Sequence, residues 1–156
     1  MKKLLYLLLA LPMLILASCH DENDLPDVNV GITYTGATSL DGSLYIVQGD
    51  TVTIDSVYVT PVNPNSRALV ANVTYFLDQR MVSYSPIAPF SMGFLTENLP
   101  VGKHTLRLDM TVLEVNREPG TYYLLVPLTV VADSTKLPRI APVTPGSYTD
   151  LARHAE

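Results

Sequence analysis

Leu69-Val70-Ala71-Asn72-Val73-Thr74-Tyr75-Phe76-Leu77-Asp78 alternates along its length. Leu69, Ala71, Val73, Tyr75 and Leu77 fall on one side, Asn72 and Thr74 on the other, which is the two-residue period of a half-buried strand. Asp78-Gln79-Arg80 then turns the chain, and 81–85 returns as a short edge. Pro86 and Pro89 bracket an irregular crossing to a strand at 90–95, and Leu99-Pro100-Val101-Gly102 makes a corner. From 104 to 112, Leu106, Leu108, Met110 and Val112 point inward and Arg107 and Asp109 outward; 116–120 is a hairpin loop and 122–131 closes the set.

The same period runs toward the amino terminus. Val28, Val30, Ile32 and Tyr34 share a face in a strand over 28–35, and 36–42 is a polar loop. A short apolar run at 44–47 follows, then a strand at 51–60 with Val52, Ile54 and Tyr58 on one side, then a proline- and asparagine-rich loop at 61–67. Outside the amino-terminal run no window has a helical period. About eight short strands separated by regular turns predict an all-β, antiparallel sandwich of seven to eight strands over 28–133.

The amino terminus carries a different signal. Lys2 and Lys3 precede an almost wholly apolar run, 4–16, that ends at Ala17-Ser18-Cys19. A positive start, a core of about 13 residues and small residues before a cleavage point make a secretory signal, too short for a membrane-spanning helix. Leu16-Ala17-Ser18-Cys19 resembles the lipobox of bacterial lipoproteins at every position. The resemblance implies removal of residues 1–18, a diacylglycerol on the Cys19 sulfur and an acylated new amino terminus, and several acyl chains together hold a protein stably on a membrane. An ordinary signal peptide with an incidental cysteine is the alternative. His20, where inner-membrane retention would favour aspartate, points to the outer membrane. Asp21-Glu22-Asn23-Asp24 resembles the acidic signal that sends some lipoproteins to the cell exterior; a solvated acidic tether over 19–27 is an equal reading.

Without residues 1–18 the chain has 138 residues, enough for one domain with a real core. Eight basic side chains then face fifteen acidic ones, a net charge of −7, which argues against nucleic-acid partners. The single cysteine is the lipid site, so no disulfide supports the fold.

Val73-Thr74-Tyr75-Phe76-Leu77-Asp78, Pro89-Phe90 and Leu99-x-x-Gly102-Lys103-His104-Thr105-Leu106 together resemble bacterial immunoglobulin-like modules. The likeness covers about 70–110. It departs after Asp109, where an A-x-D-x-x-G-N ending is expected and 110–115 continues the strand. The resemblance implies an immunoglobulin-like sandwich that serves binding or assembly.

Catalytic chemistry finds no support in the residues. His104 follows a glycine corner, where sandwiches place a tyrosine that reaches back to the backbone, and it reads as structural. His20 and His154 lie far off in sequence, so no metal-spaced pair exists. Asp41, Asp50, Asp55, Asp78 and Asp109 mostly sit in turns and form no calcium-loop run. No cofactor and no metal is expected, and the chain reads as a non-enzyme.

Recognition has two candidates. Tyr122-Tyr123-Leu124-Leu125-Val126 is apolar on both faces, so Tyr122, Tyr123 and Leu125 make a candidate binding strip for a glycan or an envelope protein. A tail covering the outer face, or a bulge at Pro127, is the bland explanation and the favoured one. Asp133-Ser134-Thr135 resembles the D-[ST]-x acceptor of O-glycosylation in some Gram-negative anaerobes, which makes Ser134 a candidate. The remainder, 134–156, contains Pro138, Pro142 and Pro145 and reads as an extended, partly disordered tail, with Ile140 and Val143 against the sandwich and a turn of helix at 149–154. The expected function is an outer-membrane lipoprotein presenting a binding module; the rival is a spacer or subunit of an envelope complex with no ligand of its own.

Overall fold

The computed structural model describes residues 25–138, 146–151 and 153–154; the signal, Cys19 and the acidic cluster lie outside them. Eleven strands form two packed sheets among the described residues: β1 (Val28–Thr35), β2 (Thr38–Leu40), β3 (Ser43–Val47), β4 (Thr51–Pro61), β5 (Ala68–Leu77), β6 (Arg80–Ser85), β7 (Met92–Leu95), β8 (Gly102–Glu114), β9 (Gly120–Val131), β10 (Gly146–Leu151) and β11 (Arg153–His154). One sheet has the order β10-β1-β4-β7. The other runs β2-β3-β9-β8-β5-β6, with β11 also paired to β9. The fold is an immunoglobulin-like β-sandwich: β1, β4 and β7 stand where strands A, B and E stand, and β5, β8 and β9 where C, F and G stand. Its pairing is antiparallel except for β3, which runs parallel to β9 from Leu44↔Leu128 to Val47↔Val131.

The core lies where the alternating faces meet. Val28, Val30, Ile32 and Tyr34 of β1 are at most 4% exposed and face Leu106, Leu108, Met110 and Val112 of β8, at most 1%. Both strands hold the inward set expected of them. Two others break phase. In β5, Val70 pairs with Val112 and Asn72 with Thr111, leaving Ala71 as an extra residue. This bulge exposes Leu69 and turns Val70 inward before Val73 and Tyr75 resume the core face. In β4 the extra residue is Asp55, between Thr33↔Ser56 and Tyr34↔Ile54. Val57 therefore enters the core in place of Tyr58. The Tyr58 ring packs against its partner Gly31, where a Cβ would come within 2.4 Å of it.

Other expectations shift more modestly. The 36–42 loop contains the short β2, hairpinned onto β3. The strand expected at 90–95 begins only at Met92, because Phe90 has φ 63° and its carbonyl accepts the buried Tyr75 hydroxyl. Residues past 133 extend the sandwich: β10 pairs with β1 from Asn29↔Leu151 to Tyr34↔Gly146, and β11 pairs with β9 at Tyr123 and Tyr122. Strand backbone thus replaces the helical turn expected at 149–154, while Ile140 and Val143 lie outside the described residues. Leu25–27 is likewise docked on the domain: Arg117 donates to Leu25 O, Tyr122 to Pro26 O, and Asp27 N–H to Glu114.

Candidate recognition face

Strand register assembles two rows across the outer face of β6, β5, β8 and β9. Met81 pairs with Phe76, Phe76 with Arg107, and Arg107 with Leu125. Beside them run Tyr84, Thr74, Asp109 and Tyr123. On β5, β8 and β9 the chain neighbours Tyr75, Leu106, Leu108, Leu124 and Val126 are buried, so pleating turns Phe76, Thr74, Arg107, Asp109, Tyr123 and Leu125 away from the core. Met81 and Tyr84 on the edge strand β6 are themselves exposed. Met81 is 60% exposed, Tyr84 53% and Leu125 39%, an apolar margin around a polar centre. At that centre the Arg107 guanidinium sits 4.9 Å from the Phe76 ring centroid and forks onto Asp109, Nε to Oδ1 at 2.6 Å. The bonds to Asp109 outweigh slight burial and, with Tyr123 nearby, hold the Arg107 pKa above its usual value. A concavity of about 610 Å³ opens alongside, lined by Phe76, Asp78, Gln79, Thr105, Arg107 and Leu125.

This arrangement offers contact area and a fixed cation. Aromatic, methionine and arginine side chains are the ones enriched where proteins meet. Arg107 covers the Phe76 ring, so the exposed aromatic surface of the face is that of Tyr84 at its β6 edge.

The strip expected on β9 divides by face. Tyr123 and Leu125 join the rows described above, whereas Tyr122 is 4% exposed and belongs to the core. Burial first, then the acidic Asp27 and Glu114, raises its phenol pKa, so Tyr122 stays protonated as the donor to Pro26 O. Ser134 is exposed and opens a single 3₁₀ turn, Ser134–Lys136, whose cap Asp133 accepts from Thr135 N–H at 2.9 Å. Phe76, Met81, Tyr84 and Arg107 were not singled out in the sequence. For Phe76 a signal existed: if Val73 and Tyr75 are inward, Phe76 is outward.

His104 occupies the corner role expected of it. Its Nδ1–H donates to Asp78 Oδ2 at 2.5 Å and its Nε2–H to Pro100 O at 2.8 Å, while Asp78 Oδ1 accepts Thr105 N–H at 2.9 Å. Both partners are acceptors only, so the imidazolium fits and no ring nitrogen is left to act as a base. Burial disfavours the charged ring, but the bonds to Asp78 and Pro100 outweigh it, and the pKa lies above 6.5. For Asp78, burial is outweighed by the bonds from His104 and Thr105, and the pKa lies below 3.8. Among the described residues no three His, Cys, Asp or Glu side chains group as metal ligands.

The sign of the pH dependence follows. The raised His104 contributes fully below pH 6.5 and is lost as pH rises through its folded pKa; the lowered Asp78 contributes above pH 3.8 and is lost as pH falls through its own. The corner is therefore firmest between pH 3.8 and 6.5. Urea midpoints of wild type and His104→Gln should differ most in that window and converge toward pH 9. A constant gap would refute the linkage.

No family model and no curated protein matches the chain. Among solved structures, fibronectin(III)-like modules of Clostridium thermocellum CbhA align at 12% identity over 60% of this chain and 92% of theirs, with a TM-score of 0.34. The fold assignment rests on strand order and register.

Proposed function

We propose that this chain is a lipid-anchored, non-enzymatic module of the outer membrane, facing the cell exterior, that binds an envelope protein through the outer face of β6, β5, β8 and β9. The observation that carries the binding half is the double row centred on Arg107. Two strands, β6 and β9, present Met81, Tyr84, Tyr123 and Leu125 on either side of one forked ion pair on β8, and such a face loses little entropy on docking because the sheet holds it. A protein is favoured over a glycan because methionine, leucine and tyrosine surround a single arginine there, the side chains enriched where proteins meet.

Two experiments test the two halves. Leu125→Ser with Met81→Ser removes apolar area at opposite ends of one row, and both side chains are already substantially exposed. The double variant should weaken co-purification with the partner by at least tenfold while shifting stability by about 1 kcal/mol or less. Unchanged co-purification would reject this face and favour a spacer. For the anchor, Cys19→Ala should abolish metabolic acyl labelling and leave the precursor uncut; persistent labelling would remove the lipid from the account.

A further inference from the structure

The anchor and the fold together fix which end of the sandwich meets the membrane. Three consecutive residues hold the incoming chain at one pole: Arg117 Nη1 donates to Leu25 O at 3.1 Å, the Tyr122 hydroxyl to Pro26 O, and Asp27 bonds Glu114 Oε2 at 2.9 Å and Val62 N–H at 2.8 Å. Glu114 is 8% exposed, a buried carboxylate at the chain's entry. Gly120 leaves room for this approach, since a Cβ there would stand 3.0 Å from the Pro26 ring. The entry point therefore lies between the 61–67 loop and the 115–119 turn.

Only residues 20–24 separate Leu25 from Cys19. The six Cα steps from Cys19 to Leu25 reach about 21 Å even when fully extended, whereas the 13 residues of β8 span about 40 Å. The entry pole cannot leave the vicinity of the bilayer, and the His104 corner lies a strand-length farther along the molecule.

The same pole exposes large aliphatic side chains: Val62 at 50%, Leu69 at 55%, Leu113 at 37% and Val115 at 57%. Leu69 and Leu113 are cross-strand partners, and Val115 N–H donates to Arg67 O at 3.0 Å, so they form one rim. Arg67 stands in it, the residue type whose stem lies on apolar surface while its head reaches phosphate. The opposite pole exposes Leu95 and Val101, but the tether cannot bring it down. We infer that the rim of Val62, Leu69, Leu113 and Val115 is a lipid-contact surface, resting at the headgroup boundary and holding the sandwich upright. This rests on the acyl anchor of the proposed function.

The test uses the full-length lipoprotein, purified and placed in vesicles of phosphatidylethanolamine and phosphatidylglycerol. Val115→Cys and Val101→Cys are each labelled with an environment-sensitive fluorophore; the Cys19 sulfur is acylated and does not react. The label at 115 should shift to the blue and be quenched by lipid-borne spin labels, while the label at 101 reports water. Water at both positions in acylated protein would overturn the lipid contact, and an apolar signal at both would overturn the upright orientation. Absence of acyl label fails the anchor itself, a result distinguishable from either.

Discussion

Gly36→Ala is expected to destabilise the fold by about 3 kcal/mol or more, near the upper range for a single methyl group. Two costs add. Gly36 has φ +83°, where an L side chain costs about 1–2 kcal/mol. The new Cβ would also stand 2.0 Å from the Thr51 carbonyl oxygen, and neither is the far end of a flexible side chain. Relief requires β1 and β4 to separate where Thr35 pairs with Thr53, at the top of the first sheet. Gly42→Ala separates the two costs. It has φ +73° but open space around its Cβ, so only the conformational cost of about 1 kcal/mol applies. Urea denaturation of both variants should show the Gly36 change as the larger by at least 1 kcal/mol. Equal losses would mean that the backbone yields and the contact is unimportant.

Where the sequence could be read, a single strand contained the answer. The side chains of β1 and β8 alternate in burial, apart from Gly31 under the Tyr58 ring, so Ile32 and Leu108 reveal their faces unaided. β4 and β5 do not, because Asp55 and Ala71 are extra residues that exist only relative to a partner strand. Nothing in Thr53-Ile54-Asp55-Ser56-Val57 marks which residue will go unpaired. The strand at 146–151 is hidden from the sequence for a related reason. Backbone amides of β1 recruit β10, and those amides carry no side-chain pattern. The recognition face is farther still from view, since Met81, Phe76, Arg107 and Leu125 come from four strands and meet through three registers. On β9, Tyr123 and Leu125 leave a trace, as apolar residues on the outward side of an otherwise alternating strand. Tyr122 is in phase with the buried side of that strand and lies inside, its hydroxyl carried to Pro26 at the rim of the core.

Tyr75 is the residue whose loss should reach both fold and face. It is fully buried between the sheets, and its hydroxyl donates to Phe90 O within the core. Burial pushes its pKa well above the usual phenol range, so the donor persists at every working pH. Tyr75→Ala removes a large aromatic from a packed interior and should cost about 3–5 kcal/mol. Tyr75→Phe keeps the ring and removes the proton, leaving Phe90 O without that donor at a cost of about 1–3 kcal/mol. The smaller change is the more informative. Phe90, held at φ 63°, lies in the crossing that links β6 to β7, and β6 carries Met81 and Tyr84. Losing the anchor should therefore loosen 86–91 first and β6 with it, while β8 and β9 keep their pairing. Amide exchange of Tyr75→Phe should accelerate in those segments beyond the global loss, and partner binding should weaken although no contact residue has changed. Uniform acceleration across all strands would instead make Tyr75 a plain core residue with no particular hold on the edge of the face.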